Sequence, residues 1–204
     1  MHLGAAATYL WAVHDPMPLF PLGTVLFPGG RLGLRIFEPR YLDLVRDCTR
    51  HDRGFGVCLI LAGREVGEPA LPAAIGCEAR IVDFAATPDG LLGITVEGGR
   101  RFRVERTRVR DNGLLLGDIA WLPEREPARV RPEHHLLSVV LERLCERAGD
   151  ACDKAELEDA EWVGWRLGEW LPLTHAQRQG LLQEDDPHQR LQRLVEQLPQ
   201  FQAG

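Results

Sequence analysis

Lysine and serine are almost missing from this chain of 204 residues: Lys154 and Ser138 are the only ones. The lone serine has no G-x-S-x-G context and falls inside a helical apolar pattern, so serine-nucleophile chemistry has no support. Lys154 has no partner motif that would make a Ser–Lys dyad. No glycine is followed by lysine, which removes the phosphate-cradling G-x-x-x-x-G-K-[ST] loop. Gly29-Gly30-Arg31 and Gly98-Gly99-Arg100 precede strand patterns, where no helix N-terminus can hold phosphate, and both read as turns. No apolar run approaches the ~20 residues needed to span a bilayer, so no membrane partner is expected. The five cysteines, Cys48, Cys58, Cys77, Cys145 and Cys152, form no C-x-x-C pair and have no histidine at metal spacing. Their odd number without spacing logic predicts no disulfide framework, a reducing compartment and therefore the cytoplasm.

Other reactive groups are equally sparse. His134-His135 lacks the i, i+4 spacing of H-E-x-x-H, and Asp150, Asp153, Glu156 and Glu158 lack the ligand order of a calcium loop. No metal and no cofactor is expected, and these acids read as a solvated face. One nucleophilic arrangement survives on paper, a Cys–His pair drawn from Cys48, Cys58 or Cys77 with His51, His134 or His135. The charge is uneven. Residues 17–122 carry 14 Arg against 13 acids, whereas 123–204 carry 10 Lys plus Arg against 16 acids. An acidic second half disfavours nonspecific contact with a phosphate backbone.

What is present begins with residues 17–41, MPLFPLGTVLFPGGRLGLRIFEPRY. Two apolar runs, Leu19 to Leu22 and Val25 to Phe27, are each stopped by Pro or Gly, and a third runs from Leu32 to Phe37. Pro21 and Pro28 cannot donate to a ladder, so these strands should be short or lie at edges. Gly29-Gly30 supplies a reversal, and Pro39 suits the first turn of a helix. Later strands follow over Phe55–Leu61, Ile75–Phe84, Leu91–Val96, Phe102–Val109 and Leu114–Leu122. Thr87-Pro88-Asp89-Gly90 is a turn, Gly98-Gly99 should break a strand, and Asp111-Asn112-Gly113 predicts a type I′ hairpin. The meander predicts a small closed or nearly closed barrel.

Beyond a polar link the period changes to 3.6. Leu136, Leu137, Val140, Leu141 and Leu144 make one helical stripe, and a second helix should run from about Asp159 to Leu171. Thr174-x-x-Gln177 has the form of a capping box, and Asp186-Pro187-x-Gln189 opens a last helix that buries Leu191, Leu194, Val195 and Leu198. The segment 150–161 reads as a loop or as the leading turn of a helix. These shifts divide the chain into an extension 1–16, a β-lobe 17–122, a linker 123–132 and a helical lobe 133–201. The extension lacks a basic n-region and reads as dispensable, with Met17 as an alternative start and Trp11 as a candidate groove occupant.

The opening segment, with Ile75 to Ala79 (IGCEA), Gly98 to Val104 (GGRRFRV) and Leu181 to Pro187 (LLQEDDP), resembles the N-terminal, substrate-binding domain of Lon proteases. That domain also occurs as a small stand-alone protein in bacteria. The resemblance implies an α+β fold: a PUA-like small β-barrel lobe with one inserted helix, then a C-terminal α-helical bundle lobe. It also implies a non-enzymatic module without the ATPase or peptidase of Lon. Its expected partners are unfolded or peptide segments of other proteins, with a protease or ATPase acting in trans. Candidate peptide contacts are Phe20, Phe27, Phe37, Glu38, Arg40 and Tyr41. The structural alternative has Glu38 accepting from the free N–H groups of the helix start while Arg40 or Tyr41 braces the barrel. PUA-like barrels elsewhere bind RNA, which makes an RNA-binding module the alternative function. Arg100, Arg101, Arg103, Arg106, Arg108 and Arg110 have little aromatic interleaving, however, and read as salt-bridged barrel surface.

Overall fold

A computed structural model describes residues 16–65, 67, 70–149 and 152–198. The expected extension, with Trp11, lies outside the described residues apart from Pro16. The chain runs β1 (Met17–Leu22), β2 (Arg31–Ile36), α1 (Pro39–Arg50), β3 (Phe55–Ala62), β4 (Leu71–Pro72), β5 (Ile75–Ala86), β6 (Leu92–Val109) and β7 (Leu115–Trp121). A 3-10 turn (Pro132–His134) leads into α2 (His135–Ala148), α3 (Lys154–Leu157), α4 (Ala160–Trp170), α5 (His175–Gln183) and α6 (Pro187–Gln197).

The sheet closes into a ring in the order β1-β7-β6-β5-β3, and parallel pairing of β3 with β1 completes it. The proline-bearing strand β1 is short, as expected, yet it lies inside the ring. Its ladder with β7 ends at Leu19, so at Pro21 only β3 is a neighbour and the absent N–H costs little. Val25 to Phe27 forms no strand; it is a buried loop segment. Helix α1 opens with Pro39 at its first positions and packs Tyr41, Leu44, Val45 and Cys48 into the barrel core with Phe55 and Val57.

Two glycine readings need correction. Gly98-Gly99 does not break a strand, because β6 is continuous over 18 residues. A Cβ on Gly98 would collide with the Phe27 carbonyl oxygen, and one on Gly99 would sit 2.8 Å from the Glu78 carboxylate. The glycines permit close approach of neighbouring chain, not a turn. The β6–β7 hairpin is also not type I′. Only Gly113 has positive φ (82°), the Gly113 N–H donates to Arg110 O, and the Arg110 N–H donates to Leu114 O. That is a type I turn closed by a left-handed glycine, and Thr87 to Leu91 repeats it around Gly90.

The helices follow their caps. Asp159 accepts from the Glu161 N–H, Thr174 and Gln177 form a reciprocal box, and Asp186 accepts from His188 and Gln189. Part of the expected acidic face folds into α3, where Asp153 and Glu156 make a capping box. The second core joins Leu137, Leu141, Val163, Leu167, Leu181, Leu191 and Leu194 with Phe27, Leu59 and Ile75 from the strands.

The expectation of no disulfide is overturned by Cys145 and Cys152, which are bonded with Cα atoms 6.2 Å apart. Helix α2 ends at left-handed Gly149, and the chain turns back to bring the two sulfurs together. Sequence spacing gave no cue, because the pairing depends on that reversal. With seven residues of separation, the loop-entropy model assigns the bond about 2.5 kcal/mol. The Cys145→Ala/Cys152→Ala protein is expected to lose that much in urea unfolding, and an unchanged midpoint would refute it.

Candidate functional site

Among the described residues strand β2 pairs on one side only, with β6, in the register Arg31↔Glu97 to Ile36↔Leu92. In an antiparallel ladder, backbone groups of successive residues point alternately to the partner and away from it. Gly30 O accepts from the Gly98 N–H at 2.8 Å, whereas the Arg31 N–H points away and donates to Glu169 Oε1 at 3.3 Å. The alternation therefore turns the N–H and C=O groups of Gly33 and Arg35 outward. Among the described residues none of them has a partner. A Cβ on Gly33 would meet nothing within 4 Å, so the outer face of the strand is also open at its middle.

Beside the edge lies a cavity of about 370 Å³, lined by Phe20, Leu22, Leu32, Leu34, Phe37 and Tyr41, with Glu38 and Glu65 at its rim. Leu32 and Leu34 face it because the period-two pattern of β2 turns Arg31 and Arg35 to solvent, where they pair with Glu97 and Asp89.

Four of the six candidate contacts, Phe20, Phe37, Glu38 and Tyr41, meet at this cavity. Phe20 and Tyr41 are core residues whose rings stack at 3.8 Å, and of the three aromatics only Phe37 is exposed, at 50%. Glu38 makes no side-chain cap on α1, contrary to the structural alternative; its carboxylate pairs with Arg40 at 2.9 Å. Arg40 is buried, stacks over Tyr41 at 4.7 Å and donates to Gly113 O at 3.1 Å, so it braces the floor from below. Burial pushes the Tyr41 hydroxyl up to about 12; Arg40 opposes the rise, and Glu38 and Glu65 add to it. Phe27 lies elsewhere, 5.8 Å from the Trp165 ring in the second core. Leu22, Leu32 and Leu34 were missed by the sequence reading, although the alternation of β2 carried the signal.

Neither alternative chemistry finds a site. The thiols of Cys48 and Cys77 approach the carbonyls of Gly54 and Gly99, and no imidazole partners a cysteine among the described residues. Burial pushes Cys58 to about 12 and Cys48 to about 11, which keeps both as unreactive thiols at neutral pH. Four of the six arginines are in surface ion pairs, Arg100 with Glu124, Arg106 and Arg108 with Asp118, and Arg110 with Asp47, whereas Arg103 is exposed with no ion pair among the described residues. Arg101 departs from the surface reading: it is buried and pairs with Asp185 from the helical side at 3.1 Å.

A closed five-strand ring with one inserted helix, joined to a helical bundle, is the fold of Lon N-terminal domains. A solved Lon N-terminal domain protein from Xanthomonas campestris is 52% identical, with a TM-score of 0.77 covering 90% of this chain and 98% of that one. The N-terminal domain of a Mycobacterium avium complex Lon protease, 18% identical, shares the fold with a TM-score of 0.64 over 89% of this chain and 97% of that one. The family model described as the ATP-dependent protease La (LON) substrate-binding domain matches residues 16–200, and the chain belongs to that family. Curated relatives include a Lon protease of Cytophaga hutchinsonii, 28% identical over 120 residues, and the protein cereblon of Gallus gallus, 31% identical over 113 residues. These matches cover 57% and 53% of this chain but only 14% and 24% of those relatives, so the chain spans a minor part of their length.

Proposed function

We propose that this protein is a non-catalytic module that binds extended segments of other polypeptides by strand addition to β2. The observation that carries the reading is the open β2 edge beside the apolar cavity. The outward N–H and C=O groups of Gly33 and Arg35 supply main-chain hydrogen bonds, and the cavity takes side chains from alternate positions of the added strand. Membership in a substrate-binding family supports protein as the ligand class. A protease or ATPase acting in trans would receive what the module holds. The RNA-binding alternative gains little from this strand, where the surface ion pairs leave Arg103 as a lone exposed cation rather than part of a basic stripe.

Proline at position 33 tests the reading. The Gly33 N–H points away from β6, so Gly33→Pro removes a donor from the edge and none from the barrel ladder. The variant should keep its thermal midpoint within a few degrees. It should also lose about tenfold or more in affinity for a reduced, carboxymethylated protein held unfolded, measured by fluorescence anisotropy. Unchanged affinity in a folded Gly33→Pro protein would sink the reading.

A further inference from the structure

At the Arg31 end of the β2 edge, the strands and the helices enclose a second cavity of about 470 Å³. Trp162, Arg166 and Trp170 line it from one face of α4, spaced at i, i+4 and i+8. Both indoles are only partly buried, and the Arg166 guanidinium lies 6.0 Å from the Trp162 ring centre. Arg166 is held in place: it pairs with Glu169 and donates to Gly29 O at 3.1 Å. The same Glu169 accepts from the Arg31 N–H, so the cavity adjoins the edge through a direct contact.

Both arginines of the lining are already held in ion pairs, and its Glu156 carboxylate is capped by a backbone N–H. Arg31 pairs with Glu97 at 3.0 Å, Arg166 with Glu169, and Glu156 accepts from the Asp153 N–H at 3.1 Å. An anionic ligand group would have to displace one of these pairs to reach an arginine. An uncharged planar ring would stack on indole and guanidinium faces and disturb none.

We infer that this cavity is an anchoring subsite for one uncharged aromatic side chain, Phe or Tyr, of the polypeptide that pairs with β2. The inference rests on the strand-addition reading above. A strand advances about 3.3 Å per residue, so a side chain one or two positions beyond Arg31 arrives at the Trp162–Trp170 face. The aromatic requirement selects sequences normally buried in a folded core, and adds to the sequence-independent pairing along the edge.

The test uses a ten-residue peptide alternating Thr and Val that ends in a Gly-Phe step, and its Gly-Ala counterpart, each also made in reverse chain order. The Phe peptide in one order should bind the whole protein about tenfold more tightly than its Ala partner and change the tryptophan emission. In Trp162→Ala, with its thermal midpoint checked, the two peptides should bind alike. Equal binding of the Phe and Ala peptides to the wild-type protein in both orders overturns the subsite. If Gly33→Pro still abolishes that binding, the edge reading stands. A folded Gly33→Pro protein that binds both peptides as the wild type does overturns the edge reading and the subsite with it.

Discussion

Gly98→Ala is expected to destabilise the protein by about 3 kcal/mol or more, although it adds a single methyl group in a strand. The added carbon would meet the Phe27 carbonyl oxygen, a backbone atom that no rotamer change can move aside. That backbone is pinned at the same place: the Gly29 N–H donates to Gly98 O, and the Gly98 N–H donates to Gly30 O, both at 2.8 Å. Relief would push the β1–β2 loop outward and take the Phe27 ring off Trp165 and Gly168, weakening the joint between strands and helices. Gly33→Ala is the matched control. Its new methyl meets nothing, and alanine restricts the unfolded chain, so a change within about 0.5 kcal/mol of zero is expected. Urea midpoints of the two variants decide it, and similar values for both would show that the close approach at Gly98 is not limiting.

The same glycine shows where sequence legibility ends. A Gly-Gly pair in an apolar run has the signature of a break, because the requirement that removes both Cβ atoms comes from Phe27 and Glu78, far away in sequence. Signals carried within one element did better. Thr174 and Asp186 were readable as caps since each acts on N–H groups two or three residues ahead. The β2 neighbourhood was partly readable for a similar reason: Phe20, Phe37, Glu38 and Tyr41 fall within one short segment that folds back on itself. Phe27, in the same segment, reads alike but points to the other core, because the loop at Gly29 and Gly30 turns it there. A closed or nearly closed barrel was legible in the meander, but the parallel β1–β3 pairing that closes it was not, as nothing local in a proline-bearing strand names a parallel partner. The spacing of Trp162, Arg166 and Trp170 was available, but only the contact of Glu169 on α4 with Arg31 at the start of β2 makes those residues a wall beside the strand.

Arg190→Ala is expected to cost about 4 kcal/mol, the largest effect of any arginine in the chain. Arg190 is fully buried on α6, with its guanidinium carbon 3.3 Å from the centre of the Trp165 ring and its stem against Gly164. It donates from Nε to Leu181 O at 3.3 Å and from Nη2 to Glu184 O at 2.6 Å. Burial, and after it the charge of Arg101, holds its guanidinium well below the usual arginine range. Arg101 reaches the same loop from β6, donating to Leu182 O at 2.7 Å and sharing Glu184 O at 3.3 Å. Two cations thus clamp the α5–α6 turn around one indole, and they repel each other while doing so. Removing Arg190 leaves a void under Trp165 and strips carbonyls of their donors. Removing Arg101 as well relieves the repulsion and strips a shared acceptor only once. Arg101→Ala alone should cost about 3 kcal/mol, and the double variant about 1 kcal/mol or more below the sum of the two. Urea unfolding of the four proteins in the cycle measures this, and strict additivity would show that the two arginines do not act on a common turn.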